Sequence, residues 1–464
     1  MDTIGPFATP SDRISGDTFP FFHDGLCHLF HMMPPVLGHH VSHDLIVWEP
    51  RPVAVVPGAP GDPDCNSLAT GCVVAHQGRF YLFYTGNQNV CLATSDDLDH
   101  WEKHPANPLL AGDDRLYAAA DFRDPFVFWN DAEQCWWMLF GTRLADALAA
   151  RGGCVGLAKS DNLEHWTAML PLWAPGIGPH CDCPQILTVA DRVWLLYLQR
   201  NARYRVAPAL AGPFERPRQR NLGTVHASAG SRPAFDGRRW ISLPFFVRLS
   251  GRCDAGAWEY GGPLCIPRHL TFHATGEITE QPVTEVIDAV LAQQDPGDPL
   301  ASARPLAGDW VLGPRTAKCR SATGGTLLLT APTADCYLEG DVTLERQDSD
   351  FHLLLRCEPA LLGGYQLSLH ARSSQASLRS ISRWDCDRVL ASHTVPFAAG
   401  TPHRLRLFLA GSCLELFIDD RYSLSCRTYD HRHGQICLEF RDSPGSVANL
   451  AWRPLAPPGT ADGP

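Results

Sequence analysis

Three aspartates stand just before apolar runs. They are Asp17 in Gly16-Asp17-Thr18-Phe19-Pro20, Asp124 in Phe122-Arg123-Asp124-Pro125, and Asp182 in His180-Cys181-Asp182-Cys183-Pro184. One acid before a strand most often caps a turn, and a lone Arg123-Asp124 pair most often forms a structural salt bridge. Three acids opening successive units of a repeat call for a different reading. Converging carboxylates repel, so one is expected to keep its proton while another stays ionised. A proton donor beside an ionised carboxylate is the pair that glycosidic cleavage uses. Pro125 and Pro184 stiffen the chain just beyond two of the three acids.

A repeat places these acids. Ser42-His43-Asp44-Leu45-Ile46-Val47-Trp48 returns as Ser95-Asp96-Asp97-Leu98-Asp99-His100-Trp101 and as Ser160-Asp161-Asn162-Leu163-Glu164-His165-Trp166. The copies lie roughly 50 to 65 residues apart, the size of a four-stranded propeller blade with its loops. Strand-turn-strand patterns fill the intervals. Cys72–Ala75 leads through a turn to Phe80–Gly86, Phe126–Trp129 to Cys135–Gly141, and Gln185–Val189 to Val193–Tyr197. A first hairpin pairs Phe19–Phe22 with Leu26–Phe30, and a last one pairs Ala234-Phe235 with Arg239–Leu243. That makes five blade-like units. In a propeller the first strand of every blade lines the central channel, so residues at those strand mouths converge although they are far apart in sequence.

Thr284–Gln293 has helical periodicity and runs into Asp295-Pro296-Gly297-Asp298-Pro299. Beyond it, Phe351–Arg356, Tyr365–Leu369, Arg404–Leu409 and Leu414–Ile418 alternate like half-buried strands. The expected fold is all-β, a five-bladed β-propeller followed by a C-terminal β-sandwich. Residues 1–283 form the propeller, 284–300 a helix and linker, and 301–464 the sandwich.

Composition narrows the function. The chain has 464 residues, 45% hydrophobic and 19% charged, which fits a globular protein of two or three domains. A net charge of −11 argues against nucleic acid or an anionic membrane as partner. No run approaches the ~20 apolar residues of a membrane span. No basic stretch followed by an apolar one opens the chain at Met1-Asp2-Thr3-Ile4-Gly5-Pro6, so no signal peptide is expected. The 17 cysteines are odd in number and scattered, which points to free thiols in a reducing, cytoplasmic setting. His180, Cys181 and Cys183 flank Asp182, but no spacing supplies a second pair of ligands, so no metal and no other cofactor is expected.

The residues resemble glycoside hydrolase family 32, the invertase and inulinase group of five-bladed propeller furanosidases. Phe122-Arg123-Asp124-Pro125 matches its Arg-Asp-Pro motif. Gly38-His39, Ser42, Asp44-Leu45 and Trp48 resemble its Trp-Gly-His-Ala-x-Ser-x-Asp-Leu-x-x-Trp element, with Leu37 for the first Trp. Thr70-Gly71-Cys72 resembles its Ser/Thr-Gly-Ser turn, and Pro267-Arg268, Leu270 and Gln281-Pro282 the segment closing the propeller. Two places differ. The family's Asn-Asp-Pro-Asn-Gly is here Gly16-Asp17-Thr18-Phe19-Pro20, and Asp182 stands where its Glu-Cys-Pro has Glu. The resemblance implies a small carbohydrate as partner, a terminal non-reducing furanoside cleaved by double displacement with retention. It implies Asp17 as nucleophile, Asp182 as acid/base and Asp124 as transition-state stabiliser, with the Asp17 and Asp182 carboxyls ~5–5.5 Å apart. Arg123, His39, Trp48, Phe83 and Thr70 are the expected sugar-binding residues, with Trp129 as a further aromatic wall. Fructofuranosides lead, and arabino- or galactofuranosides stay open. So does a sugar-binding protein that no longer hydrolyses.

Overall fold

The computed structural model describes residues 5–9, 15–199, 201–217, 222, 228–229, 231–293, 295, 297–329, 335–382 and 387–458. Gln294 and Pro296 of the expected helix and linker and Met1–Ile4 of the N-terminal reading lie outside these residues. The chain is a five-bladed β-propeller followed by two stacked β-sheets, as its patterning predicts.

Blade 1 runs Gly16–His23, Leu26–Met33, Val36–Ser42 and Glu49–Pro50 as an antiparallel meander. Blade 2 runs Leu68–His76, Arg79–Gly86, Asn89–Ser95 and Glu102–Lys103. Blade 3 runs Tyr117–Asn130, Cys135–Leu144, Gly153–Ser160 and Thr167–Trp173. Blade 4 has Asp182–Val189, Arg192–Gln199 and Asn201–Ala207, with Glu215 bridging to Val206 at its outer edge. Blade 5 pairs Ala234–Phe235, Trp240–Ser242, Arg268–Phe272 and Ile278–Pro282. The middle strands are buried on both faces because each blade packs against two neighbours, and that is why they read as continuous apolar runs. Phe83 and Leu92 of blade 2 share a core with Trp136, Met138 and Phe140 of blade 3. Trp137 and Leu139 turn the other way, onto Ile186 and Leu195 of blade 4.

The repeat is a self-contained turn. In each copy the Ser Oγ accepts the N–H groups two and three residues on, and the following Asp or Asn Oδ1 accepts the next two. Four backbone donors are thereby satisfied by two side chains. The Leu of each copy sits in left-handed backbone, at φ of 65°, 68° and 69° for Leu45, Leu98 and Leu163. Strain in a bulky residue persists only where packing fixes it, and all three leucines are buried between blades. Trp101 and Trp166 each donate Nε1–H to that leucine's carbonyl.

Helix Thr284–Leu291 follows the propeller and seats Val286 and Val290 in a core. Two seven-stranded sheets come next. One holds Asp350–Cys357, Gly363–His370 and Gln435–Arg441, and the other holds Cys336–Leu344, His403–Ala410 and Cys413–Ile418. Leu405, Leu407, Leu414 and Leu416 face the opposite sheet across the sandwich core. Alternate residues Phe408, Cys413 and Phe417 face Phe246, Ile266 and the helix. Strand periodicity of two thus gives this sheet one face for the sandwich and one for the propeller. Arg268, at the start of a blade 5 strand, pairs with Glu280 of its own blade at 3.2 Å and reaches buried Glu415 across that junction at 2.5 Å.

Candidate active site

The first strands of blades 1 to 4 share an irregularity. The ladder with the second strand shifts register between Gly16 and Phe19, between Ala69 and Gly71, between Arg123 and Phe126, and between Asp182 and Gln185. These are β-bulges at the same step of four blades, and a bulge re-aims a side chain out of the pleat. Asp17, Asp124 and Cys183 occupy left-handed backbone there, with φ of 36°, 61° and 47°. Asp182 precedes its bulge, as Arg123 does. Blades 1 and 3 therefore present the bulged acid itself, and blade 4 presents the residue before it.

Hydrogen bonds tie the bulges together. Thr70 Oγ1 donates to the Asp17 carbonyl at 3.3 Å, Thr85 Oγ1 to the Thr70 carbonyl at 3.1 Å, and the Asp124 N–H to Thr85 Oγ1 at 2.8 Å. Asp124 Oδ2 accepts the Cys183 N–H at 2.9 Å and lies 3.5 Å from its Sγ. Arg232 pins the arrangement from the axis. Its guanidinium donates to the carbonyls of Gly71 (2.8 Å), Pro125 (2.5 Å) and Asp124 (2.7 Å), and its N–H donates to Thr18 O at 3.0 Å. One buried residue thus holds backbone from three blades, two through its side chain and one through its N–H.

Asp182 receives Arg123 Nη2 at 2.8 Å and lies 3.6 Å from His180 Nε2. The other face of Arg123 is held by Asp121 at 2.8 Å and Gln88 at 3.2 Å, and Asp121 also takes Arg143. Asp17, Asp124 and Asp182 act on one another electrostatically. Burial first, then the neighbouring Asp124 charge, pushes the Asp17 carboxyl up to about 7. The same two causes push Asp182 up to about 6, opposed by Arg123. The sequence predicts one raised carboxyl; two are raised, because both Asp17 and Asp182 are desolvated beside Asp124.

Of the expected sugar-binding residues, Arg123 touches Asp182 and Thr70 touches the Asp17 backbone. The other three are held in packing. His39 is buried, stacks on Phe30 at 4.4 Å and hydrogen-bonds His28 at 3.0 Å. Phe83 is fully buried between blades 2 and 3, edge-on to Trp166. Trp48 packs at the rim of the core that joins blade 1 to the sandwich. Trp129 stands five residues past Asp124, at the far end of the strand, at most about 16 Å along the chain at ~3.3 Å per residue, next to the Asn130-Asp131 turn. Of the thiols beside Asp182, Cys181 lies in the blade 3–4 core while Cys183 meets Asp124. Among the described residues no three His, Cys, Asp or Glu side chains are grouped to hold a metal.

Sequence reasoning did not find Arg232, Thr85 or the Cys183 donor. For Cys183 a signal existed, since Asp124-Pro125 and Cys183-Pro184 are the matching pairs. Arg232 had none, because its side-chain hydrogen bonds span 107 to 161 residues.

Comparison with known proteins decides the family. Residues 17–215, which carry all three acids, match the N-terminal domain of glycosyl hydrolases family 32. The matched part of the chain, residues 17–215, belongs to glycoside hydrolase family 32. This family 32 member is similar to the sucrose-6-phosphate hydrolase of Zymomonas mobilis, with 24% identity over 88% of this chain and 83% of that one. It is also similar to the sucrose-6-phosphate hydrolase of Escherichia coli, with 24% identity over 86% of this chain and 81% of that one. Fructan 1-exohydrolase IIa of Cichorium intybus shares the fold, at a TM-score of 0.71 and 17% identity over 98% of both chains. So does a sucrose-6-phosphate hydrolase of Lactobacillus gasseri, at a TM-score of 0.70 and 18% identity, over 98% of this chain and 93% of that one. The family 32 chain is a glycoside hydrolase.

Proposed function

We propose that the protein cleaves terminal β-fructofuranosides, sucrose or its 6-phosphate foremost, by a retaining double displacement. The observation that carries this reading is the meeting of Asp17 and Asp182 beside Asp124, each with a carboxyl raised toward neutrality. In this reading Asp17 attacks the anomeric carbon while Asp182 gives its proton to the leaving oxygen. Asp182 then takes a proton from water, which displaces Asp17 and returns it as carboxylate. Asp124, fixed by Cys183 and Thr85, meets sugar hydroxyls as positive charge develops on the ring. Arg123 orients Asp182. The free thiols of all sixteen described cysteines support a reducing, cytoplasmic setting.

One observation favours a second allocation of roles. Arg123 pairs with Asp182 at 2.8 Å and favours its ionised form, whereas the side-chain partner of Asp17 is a neutral phenol. The opposite assignment would make Asp17 the acid and Asp182 the nucleophile. Azide rescue of Asp17→Ala and Asp182→Ala on an aryl β-fructofuranoside separates the two. Under the first allocation Asp182→Ala yields the β-azide and Asp17→Ala the α-azide, and under the second these products exchange. Turnover by Asp17→Ala equal to wild type, or no turnover by either protein across an aryl furanoside panel, would sink the hydrolase reading of this site.

A further inference from the structure

Tyr260 lies outside every motif named above. It follows the short strand pair Arg248–Leu249 and Trp258–Glu259, and its carbonyl accepts Arg248 Nη2 at 3.3 Å. Two residues on, Gly262 bridges to Ser15 and donates its N–H to Ser15 O at 2.9 Å. That stitch brings the Tyr260 ring over Gly16, next to Asp17 in the chain. A Cβ built on Gly16 would stand 2.4 Å from both Cζ and Oη of Tyr260, so no residue with a side chain fits while the ring is there. Gly16 pairs with Met32 across the ladder, and Tyr260 Oη also reaches Met32 Sδ at 3.1 Å. The phenol stands by the Asp17 carboxyl and favours its ionised form. A thioether is a weak acceptor and a carboxylate a strong one, so the phenol proton can turn from Met32 to Asp17.

We propose that Tyr260 is a positioning residue for Asp17, fixing the carboxylate for attack, and that residue 16 is glycine to admit the Tyr260 ring. This rests on Asp17 acting as the nucleophile. The hydroxyl favours the ionised carboxylate against the burial that opposes it. The phenol itself stays neutral, because burial and the Asp17 charge push its own ionisation well up. Phe245 backs the ring at 5.6 Å, so its position is held from the propeller core and does not depend on a bound sugar.

The test is steady-state kinetics on an aryl β-fructofuranoside across pH, for wild type, Tyr260→Phe, Tyr260→Ala, Gly16→Ala and Gly16→Ala/Tyr260→Ala. Tyr260→Phe removes one oxygen and keeps the ring, and a thermal melt checks that it folds. Its kcat is expected to fall roughly 10- to 100-fold, the rate equivalent of one hydrogen bond to a charged group. KM is expected to stay within about threefold. The acid limb of kcat/KM moves to higher pH, because Asp17 without its donor is harder to ionise. Gly16→Ala displaces the ring and gives a comparable loss in wild type, but costs under about twofold more once Tyr260 is Ala. An unchanged kcat and acid limb in Tyr260→Phe overturns the inference, as does an equal Gly16→Ala penalty in both backgrounds. Asp17→Ala separates the two levels. If it abolishes turnover while Tyr260→Phe is silent, only the role of Tyr260 fails. If it turns over like wild type, the nucleophile assignment fails and this inference with it.

Discussion

The backbone N–H of Cys183 lies 2.9 Å from Asp124 Oδ2, and both residues sit in left-handed backbone at the same step of adjacent blades. The bulge of blade 4 thus serves as the donor that orients the acid of blade 3. Asp182, one residue earlier, is turned toward Arg123 instead. The separation of roles between the two acids follows from that one-residue offset.

Arg123 should set the proton affinity of Asp182. Its charge lowers the Asp182 carboxyl against burial, so Arg123→Ala lets Asp182 keep its proton to higher pH. With Asp182 as acid, the basic limb of kcat/KM should move up by about one pH unit. The kcat should fall roughly 10- to 100-fold as the carboxyl loses its orienting bond. A pH–rate profile on an aryl β-fructofuranoside reads both. A basic limb that stays in place would mean another group donates the proton.

Arg232 should be a stability residue first. Arg232→Met leaves three buried carbonyls without their donor, at about 1–3 kcal/mol for each group left unsatisfied. A loss of roughly 3 kcal/mol or more in urea unfolding is expected, with reduced activity because the bulges lose their anchor. Stability within about 0.5 kcal/mol of wild type would contradict the axis role.

Asp17 should destabilise the fold at alkaline pH. The folded carboxyl titrates near 7, up from 3.8. Between those values the folded protein binds more protons than the unfolded one. The stabilisation is therefore fully present below about 3.8 and is lost as pH rises through about 7. Asp17→Asn removes the ionisation. At pH 8 it should be more stable than wild type by about 1–2 kcal/mol, a figure discounted for partial solvent access, and the gap should narrow at pH 5. Urea midpoints at the two pH values measure this, and an equal gap at both would refute it.

Arg268 should couple the two halves of the molecule. Its contacts to Glu280 and Glu415 are buried, and Ser423 and Ser425 complete the hydrogen bonds of the two glutamates. Arg268→Met leaves two buried carboxylates without their cation, at a cost of about 3–5 kcal/mol. Calorimetry should show the wild type melting in one transition and the variant in two, or in one at much lower temperature. An unaltered melt would dismiss the junction as a source of cooperativity.

The legible part of this fold was the part built from neighbours in sequence. Each Ser-x-Asp/Asn-Leu turn closes its hydrogen bonds within four residues, so its sequence and its structure are the same object. Blade strands were legible because burial on both faces writes an apolar run. The acids were legible because each stands at the mouth of a first strand, just before an apolar run. The side chains around them were not. His39 and Phe83 lie in matched segments, but a strand's register decides which face a residue takes, and theirs is an interblade core. Arg232 and Tyr260 act across separations that no local pattern marks. Asp182 was placed level with Asp124, whereas the prolines put Cys183 there.

The bulges carry one more consequence. Each loops its residues out of a ladder that resumes intact at Phe19, Gly71, Phe126 and Gln185. What stands in the loop is invisible to the pairing on either side. A blade can therefore exchange its chemical group without relearning how to fold. Substrate preference in such a scaffold is free to drift one blade at a time, while the framework that carries it stays the same.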